Sequence, residues 1–300
     1  RFYSQNRLKV WGIIIAVIFI LAIIQVLNNI YKNNNSENVN TTTTENVSSY
    51  TNESTSVIDG QTVPAQYQEG FGTIIDDFFT ACINHQPERA YDFLAPDTIN
   101  LLYPTESQFE SLYYNNKFEG NKKYSFQAWS NDGSTYIYQV KIFEDMLSTG
   151  KTSEDEYIED YVTIVPVNDT YKLNVNSYIG KRNINKKNSN ELMTMQASSA
   201  DVYLNYEIYT FNIKNNTSQE IKLDTQQDPN TMYVMDSKDN KFYAFSYELS
   251  NKELTLAPQE FKTIKIKFND VYHSGIQIDS VNFTDIVDEN SNKYSLQIEL

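Results

Sequence analysis

The sequence predicts an α+β roll followed by an all-β sandwich, both set behind one N-terminal transmembrane helix and a disordered linker. Three observations carry this expectation. Residues 10–27 contain no charge and a single strongly polar side chain, Gln25. Between about residues 73 and 115 the apolar pattern is helical, and it then changes to a period of two. From about residue 190 the period of two continues alone, punctuated by turn signals.

At roughly 1.5 Å per residue the uncharged run nearly crosses a hydrocarbon core, and Asn28, Asn29, Ile30 and Tyr31 carry it to the interface. Arg1, Arg7 and Lys9 precede it without an acid, whereas only Lys32 follows closely. The positive-inside rule then gives a cytoplasmic tail over 1–9, a signal anchor over 10–30 and an extracytoplasmic 31–300. A cleaved signal peptide is disfavoured, because no small-x-small site follows the run. The first residue is Arg1 rather than Met, so the expectation includes a cytoplasmic segment upstream. A lipoprotein is disfavoured because the single cysteine, Cys82, is far from the span.

Eighteen of the 29 residues from 32 to 60 are Asn, Ser or Thr, so residues 31–63 are expected to be a disordered spacer that cannot offset its ordering entropy. The roll is expected over 64–187. Thr73-Ile-Ile-Asp76 reads as a capping box, with Ile74, Ile75, Phe78, Phe79 and Cys82 at helical spacing. Asn84 and His85 end that helix, Pro87 opens a second and Pro96 closes it. Thr105 with Gln108 caps a third. Strands are expected over 124–130, 135–143, 157–167 and 170–179, separated by Asn131-Asp-Gly133, an acidic loop near Glu154, and Asn168-Asp169.

Three helices before a four-stranded meander, with the stretch FFTACINHQPERAYDFLAPDTI as its helix–break–helix, resemble the nuclear-transport-factor-2-like superfamily. That superfamily includes enzymes, ligand binders and interaction domains, so the resemblance implies a fold and leaves the function open. One span followed by such a roll also looks like the inner-membrane assembly component of type IV secretion and conjugation systems.

Residues 190–300 read as the sandwich. A long strand over 201–213 ends at Lys214-Asn-Asn-Thr217, and shorter ones follow over 221–223, 232–235, 242–245 and 254–256. The strand over 261–268 sets Ile264, Ile266 and Phe268 on one face and Lys265 and Lys267 on the other. The last strand aligns Tyr294, Leu296, Ile298 and Leu300, which ends the sequence inside the fold. This pattern, with Asp236-Ser-Lys-Asp-Asn240 before Lys241-Phe-Tyr and Leu256-Ala-Pro-Gln-Glu260 before the Lys-alternating strand, is similar to immunoglobulin-like domains of Gram-positive surface proteins. The cysteine pair and core Trp of antibody domains are absent.

Chemistry is sparse. The net charge is −15 and no outer segment is basic, which argues against nucleic acid as a partner. One cysteine excludes an internal disulfide framework and a thiolate metal cluster. With only His85 and His273 available, in different predicted domains, no His/Cys zinc site is expected. His85 with Asp76 or Asp77 is the one candidate acid–base constellation, by the resemblance to dehydratases and isomerases of the roll fold; a helix-terminal His is the blander reading. Cys82 reads as a core residue. Glu154-Asp-Glu156 with Glu159 and Asp160 reads as a solvated hairpin tip rather than a calcium loop, and Asp236-Ser-Lys-Asp-Asn240 as a turn. The 23 tyrosines read mostly as half-buried strand residues, some open to protein or glycan contacts.

These readings converge on a single-pass, non-enzymatic binding or assembly protein of a bacterial cell envelope, presenting two interaction domains on a stalk. No catalytic residue, metal or cofactor is expected. The expected partners are the membrane itself, an envelope protein or the cell wall, and a second copy through the roll. The alternatives are a ligand-binding or enzymatic roll using His85 with Asp76 or Asp77, a secretion-channel component, and an envelope sensor with cytoplasmic output.

Overall fold

Helix α1, Ala65–Ile83, buries Phe71, Ile75, Phe78, Phe79 and Cys82 along one face at helical spacing. The computed structural model describes residues 54–145, 156–270, 272 and 277–300. The tail, the anchor and the linker as far as Glu53 lie outside the described residues, as does His273. Among the described residues no helix is long and apolar enough to cross a membrane.

Helix α1 begins two turns before the expected Thr73 cap, and Thr73 Oγ1 instead donates to the Glu69 carbonyl within the helix. Gly70 and Gly72 weaken this stretch locally, but seating Phe71 against Tyr136 and Tyr171 outweighs their low propensity. Helices α2 (Pro87–Tyr91) and α3 (Pro96–Leu101) each carry proline in the first turn. Pro96 thus opens a helix rather than closing one, because a missing N–H is harmless there. Helix α4 (Glu106–Phe109) has the expected cap, Thr105 Oγ1 accepting from the Gln108 N–H at 3.2 Å. One π turn, Glu110–Tyr114, joins it to α5 (Asn115–Phe118).

Strands β1 (Lys122–Asn131), β2 (Tyr136–Glu144), β3 (Tyr157–Val167) and β4 (Thr170–Asn174) form an antiparallel meander in that order. Tyr124, Phe126, Val140, Val162 and Ile164 alternate inward and close one apolar core with the helices. Strand β5 (Tyr178–Ser189) does not continue this sheet, although the sequence placed residues up to 187 in the roll. Asn176 and Ser177 adopt φ of 61° and 60°, and these two left-handed residues redirect the chain so that β5 hydrogen-bonds to β6.

The remaining strands are β6 (Met193–Tyr203), β7 (Glu207–Asn215), β8 (Ile221–Lys222), β9 (Met232–Asp236), β10 (Lys241–Tyr243), β11 (Thr255–Leu256), β12 (Phe261–Phe268), β13 (Ile278–Asp288) and β14 (Lys293–Glu299). One antiparallel sheet runs β12-β7-β6-β5, and β13 joins β9, β8 and β14 in the other. The two sheets share a core containing Phe211, Phe268 and Phe283. The single strand expected over 201–213 is a hairpin, closed where the Tyr203 N–H donates to the Tyr206 carbonyl. Tyr203, Glu207 and Tyr209 are all buried at odd positions, which hides the turn from periodicity, although Val202 rather than Tyr203 opposes Glu207 and Tyr203 lies on the other face. The expected faces of β12 hold: Ile264, Ile266 and Phe268 are buried, while Lys265 is exposed.

A third apolar cluster joins the halves. Ile137 and Tyr161, on the side of the meander away from the helices, pack with Ile179 and Leu204, and Trp129 and Tyr272 flank them. All described residues belong to one compact unit.

Residues 54–63, expected within the disordered linker, are instead ordered against β1. Val57 and Ile58 donate N–H groups to the Ala128 and Trp129 carbonyls at 3.3 and 3.0 Å. The Asp59 carboxylate accepts from the Asn131 N–H at 2.7 Å and from Ser130 Oγ at 3.1 Å. The reason is the free edge of β1, whose carbonyls recruit the neighbouring chain. Partial burial raises the Asp59 carboxyl, but donors from Ser56, Asn131, Gln61 and Ser130 prevail and hold it at about 2. A folded value below the unfolded one stabilises above about pH 4, and that contribution is lost as the pH falls toward 2. Asp59→Ala should loosen this latch by about 1–2 kcal/mol, read as faster amide exchange at Val57 and Ile58 near neutral pH. Unchanged exchange there would contradict the assignment.

Candidate functional site

The acid–base constellation expected from sequence does not assemble. His85 follows the end of α1 with φ of 57°, is exposed, and shares a hydrogen bond between Nδ1 and the Tyr114 hydroxyl at 2.6 Å. Asp76, nine residues earlier and within the helix, accepts a hydrogen bond from the Tyr124 hydroxyl. Asp77 borders a groove beside Thr73 and Tyr171, whereas His85 borders a different one beside Tyr114 and Phe118. Cys82 is fully buried, as expected, and burial pushes its thiol well above the ordinary range.

Of the expected acidic tip, Glu154 and Asp155 lie outside the described residues, and strand alternation separates Glu159 from Asp160. Glu159 faces outward and accepts from Gln139, while Asp160 on the opposite face is fully buried. Asp160 therefore is not part of a solvated tip. Its Oδ2 accepts from the Tyr113 hydroxyl at 2.7 Å and pairs with Lys117 Nζ at 3.1 Å. The π turn sets Tyr113 inward and Lys117 one turn beyond it, with the ammonium 4.8 Å from the Tyr113 ring centre. Asp236-Ser-Lys-Asp-Asn240 is a turn, its Asp236 Oδ1 accepting from the Lys238 and Asn240 N–H groups. Asp288 and Asn292 repeat that arrangement in the β13–β14 hairpin.

What sequence reasoning did not find is a polar cleft of about 250 Å³ where the second half meets the β1–β2 turn. Strands β5 and β7, the end of β12 and the β1–β2 turn supply its charges. Arg182 on β5 and Glu207 at the start of β7 lie diagonally across β6, and Asp270 follows the end of β12. Asp132 and Thr135 of the β1–β2 turn and Tyr272 form the facing wall. Arg182 Nη2 donates to Glu207 Oε2 at 2.8 Å and to the Tyr209 hydroxyl at 2.7 Å. Glu207 is 6% exposed and Asp270 7%.

The electrostatics are uneven. Burial, then repulsion from Glu207, lifts the Asp270 carboxyl to about 7 against the pull of Arg182, and Asp236 adds to the rise. Asp132 goes the other way: burial raises it, but donors from Ser134, Thr135 and Tyr272 hold it below the usual range. Burial and Asp132 together push the Tyr272 hydroxyl to about 12. Among the described residues no group donates a hydrogen bond to the Asp270 carboxylate. The cleft thus holds one ion pair, in which the buried Arg182 Nε is left without a partner, and one easily titrated carboxyl that receives no donor. One signal was visible beforehand: Glu207 occupies an inward position in the alternating row Glu207, Tyr209, Phe211, Ile213, where a charge demands a partner.

Neither a family model nor a curated protein matches this chain. A conserved hypothetical protein from Bacillus anthracis, known by its crystal structure, is similar over 38% of this chain and 94% of its own, with 14% identity and a TM-score of 0.25. A likeness of that size carries no argument about fold or function.

Proposed function

We propose that this chain is a membrane-tethered, extracytoplasmic binding and assembly protein of a bacterial cell envelope, without catalytic chemistry of its own. The observation that carries the reading is the apolar seam of Ile137, Tyr161, Ile179 and Leu204, which makes one presented body of the helix–meander half and the two-sheet half. The uncharged run over residues 10–27, with Arg1, Arg7 and Lys9 on one side, supports the anchor and its orientation. Residues 31–53 then serve as the stalk, shorter than the sequence alone suggested because residues 54–63 dock on β1. Helices on one face of a four-stranded meander support the nuclear-transport-factor-2-like reading of the first half, and two facing antiparallel sheets support the immunoglobulin-like reading of the second.

Surface aromatics fit a role in contact. Tyr247 is 76% exposed and Phe261 67%, where such rings suit a protein or cell-wall partner. Tethering would raise the local concentration of the folded body near such partners.

Orientation is directly measurable, because Cys82 is buried and contributes little background. In whole cells of a bacterial host, Ser218→Cys, on an exposed turn, should react with a membrane-impermeant maleimide before lysis. Reaction only after lysis would overturn the orientation. Crosslinking of the intact chain in its envelope should then capture an envelope protein, wall polymer or second copy.

A further inference from the structure

We propose that the cleft between Arg182, Glu207 and Asp270 is a binding site for a small organic monocation, a primary ammonium group on a short aliphatic body. Asp270 is more than nine-tenths buried, borders the cleft, and receives no hydrogen bond from any described residue. A buried carboxyl in that condition calls for a donor. Arg182 Nη2 donates to Glu207 and Tyr209 and its buried Nε has no partner, so the guanidinium reaches Asp270 through its charge alone and gives it no donor.

The shape and charge select the occupant. A volume of about 250 Å³ lies below the roughly 300–1,000 Å³ of sites for drug-sized ligands, so the ligand is small. Ile179, Val202 and Ile278 offer apolar wall for a carbon chain. Among the described residues no group of three or more His, Cys, Asp or Glu could hold a metal ion, which favours an organic cation. Among the described residues three carboxyls border the cleft, Asp132, Glu207 and Asp270, against Lys181 and Arg182. Asp236 adds a further negative charge that Asp270 feels, and Lys181 is exposed. An ammonium would supply the missing donor and neutralise Asp270 as a carboxylate. Binding must therefore release a proton when Asp270 begins protonated, and it should strengthen as the pH rises through about 7.

This inference goes beyond tethering and rests only on described residues, so a failed orientation test leaves it standing. The full-length protein in detergent micelles is heated with propylammonium chloride, potassium chloride or 1-propanol, each at about 100 mM. Only propylammonium should raise the unfolding midpoint at about pH 8. Its apparent affinity should be roughly 30-fold lower at about pH 5.5, where a carboxyl of pKa about 7 is mostly protonated. Asp270→Asn should abolish the response, with folding checked by circular dichroism. An equal rise with potassium chloride, an undiminished rise in Asp270→Asn, or no rise with propylammonium at about pH 8 would overturn the proposal. The pH comparison on the unaltered chain decides the matter even if that variant fails to fold.

Discussion

Lys117→Ala should destabilise the fold by about 3–5 kcal/mol, read as a lower urea midpoint near neutral pH. Asp160 is 0% exposed on β3, inside the core that the helices close over the meander. The Lys117 ammonium is its ion-pair partner among the described residues, at 3.1 Å, and the Tyr113 hydroxyl and Tyr161 N–H complete its shell. Removing the cation leaves a carboxylate in an apolar core with two neutral donors, a poor substitute for a charge. Replacing both partners together, as in Lys117→Met with Asp160→Leu, should cost much less, because no charge is stranded. A loss below about 1 kcal/mol in Lys117→Ala would show the pair to be solvated.

Asp270→Asn should make the protein more stable at about pH 8 and leave it unchanged below about pH 4. The folded carboxyl sits at about 7, above its ordinary value of 3.8, so the folded state holds a proton that the unfolded chain releases. Stability from this group is then greatest at low pH and declines as the pH rises from about 4 through 7. A shift of about three units corresponds to about 4 kcal/mol at most, and water admitted by the cleft reduces this to about 2–4 kcal/mol. Asparagine keeps the shape without the charge, so the decline between about pH 4 and 8 should flatten. A parallel decline in both proteins would place the titration elsewhere.

Local signals located most elements. Thr105 caps its helix, Pro87 opens another, and the Lys-alternating strand over 261–268 appears with its expected faces. These features depend on neighbours within a turn or on side-chain parity, which a sequence displays. Two misreadings share one cause, competition from a distant segment. Thr73 carries a good cap, yet the burial of Phe71 against Tyr136 and Tyr171 extends α1 past it. Residues 54–63 look like spacer until the open edge of β1 offers them carbonyls. Tyr203 and Glu207 are both buried at odd positions although they lie on opposite faces, so parity could not report the reversal.

The candidate site was less legible than the fold. His85, Asp76 and Asp77 stand near one another in sequence, but the helix carries Asp77 and His85 to different grooves. Arg182, Glu207 and Asp270 are separated by 25 and 63 positions, and no spacing rule links them. Glu207 alone signalled an unusual demand, as a charge on the inward face of a strand.

By itself the sequence determined the uncharged run at residues 10–27, the acidic balance, the scarcity of Cys and His, and the order of helices before strands. Each of these is a property of composition or of contacts within a few residues. Only the tertiary structure decided that β5 leaves the meander for the second sheet, that Asp160 is buried against Lys117, and that Asp270 borders a cleft without a donor. Those outcomes depend on which strands pair and which faces meet, and the free energy that selects them comes from burial and hydrogen bonds between segments far apart in the chain.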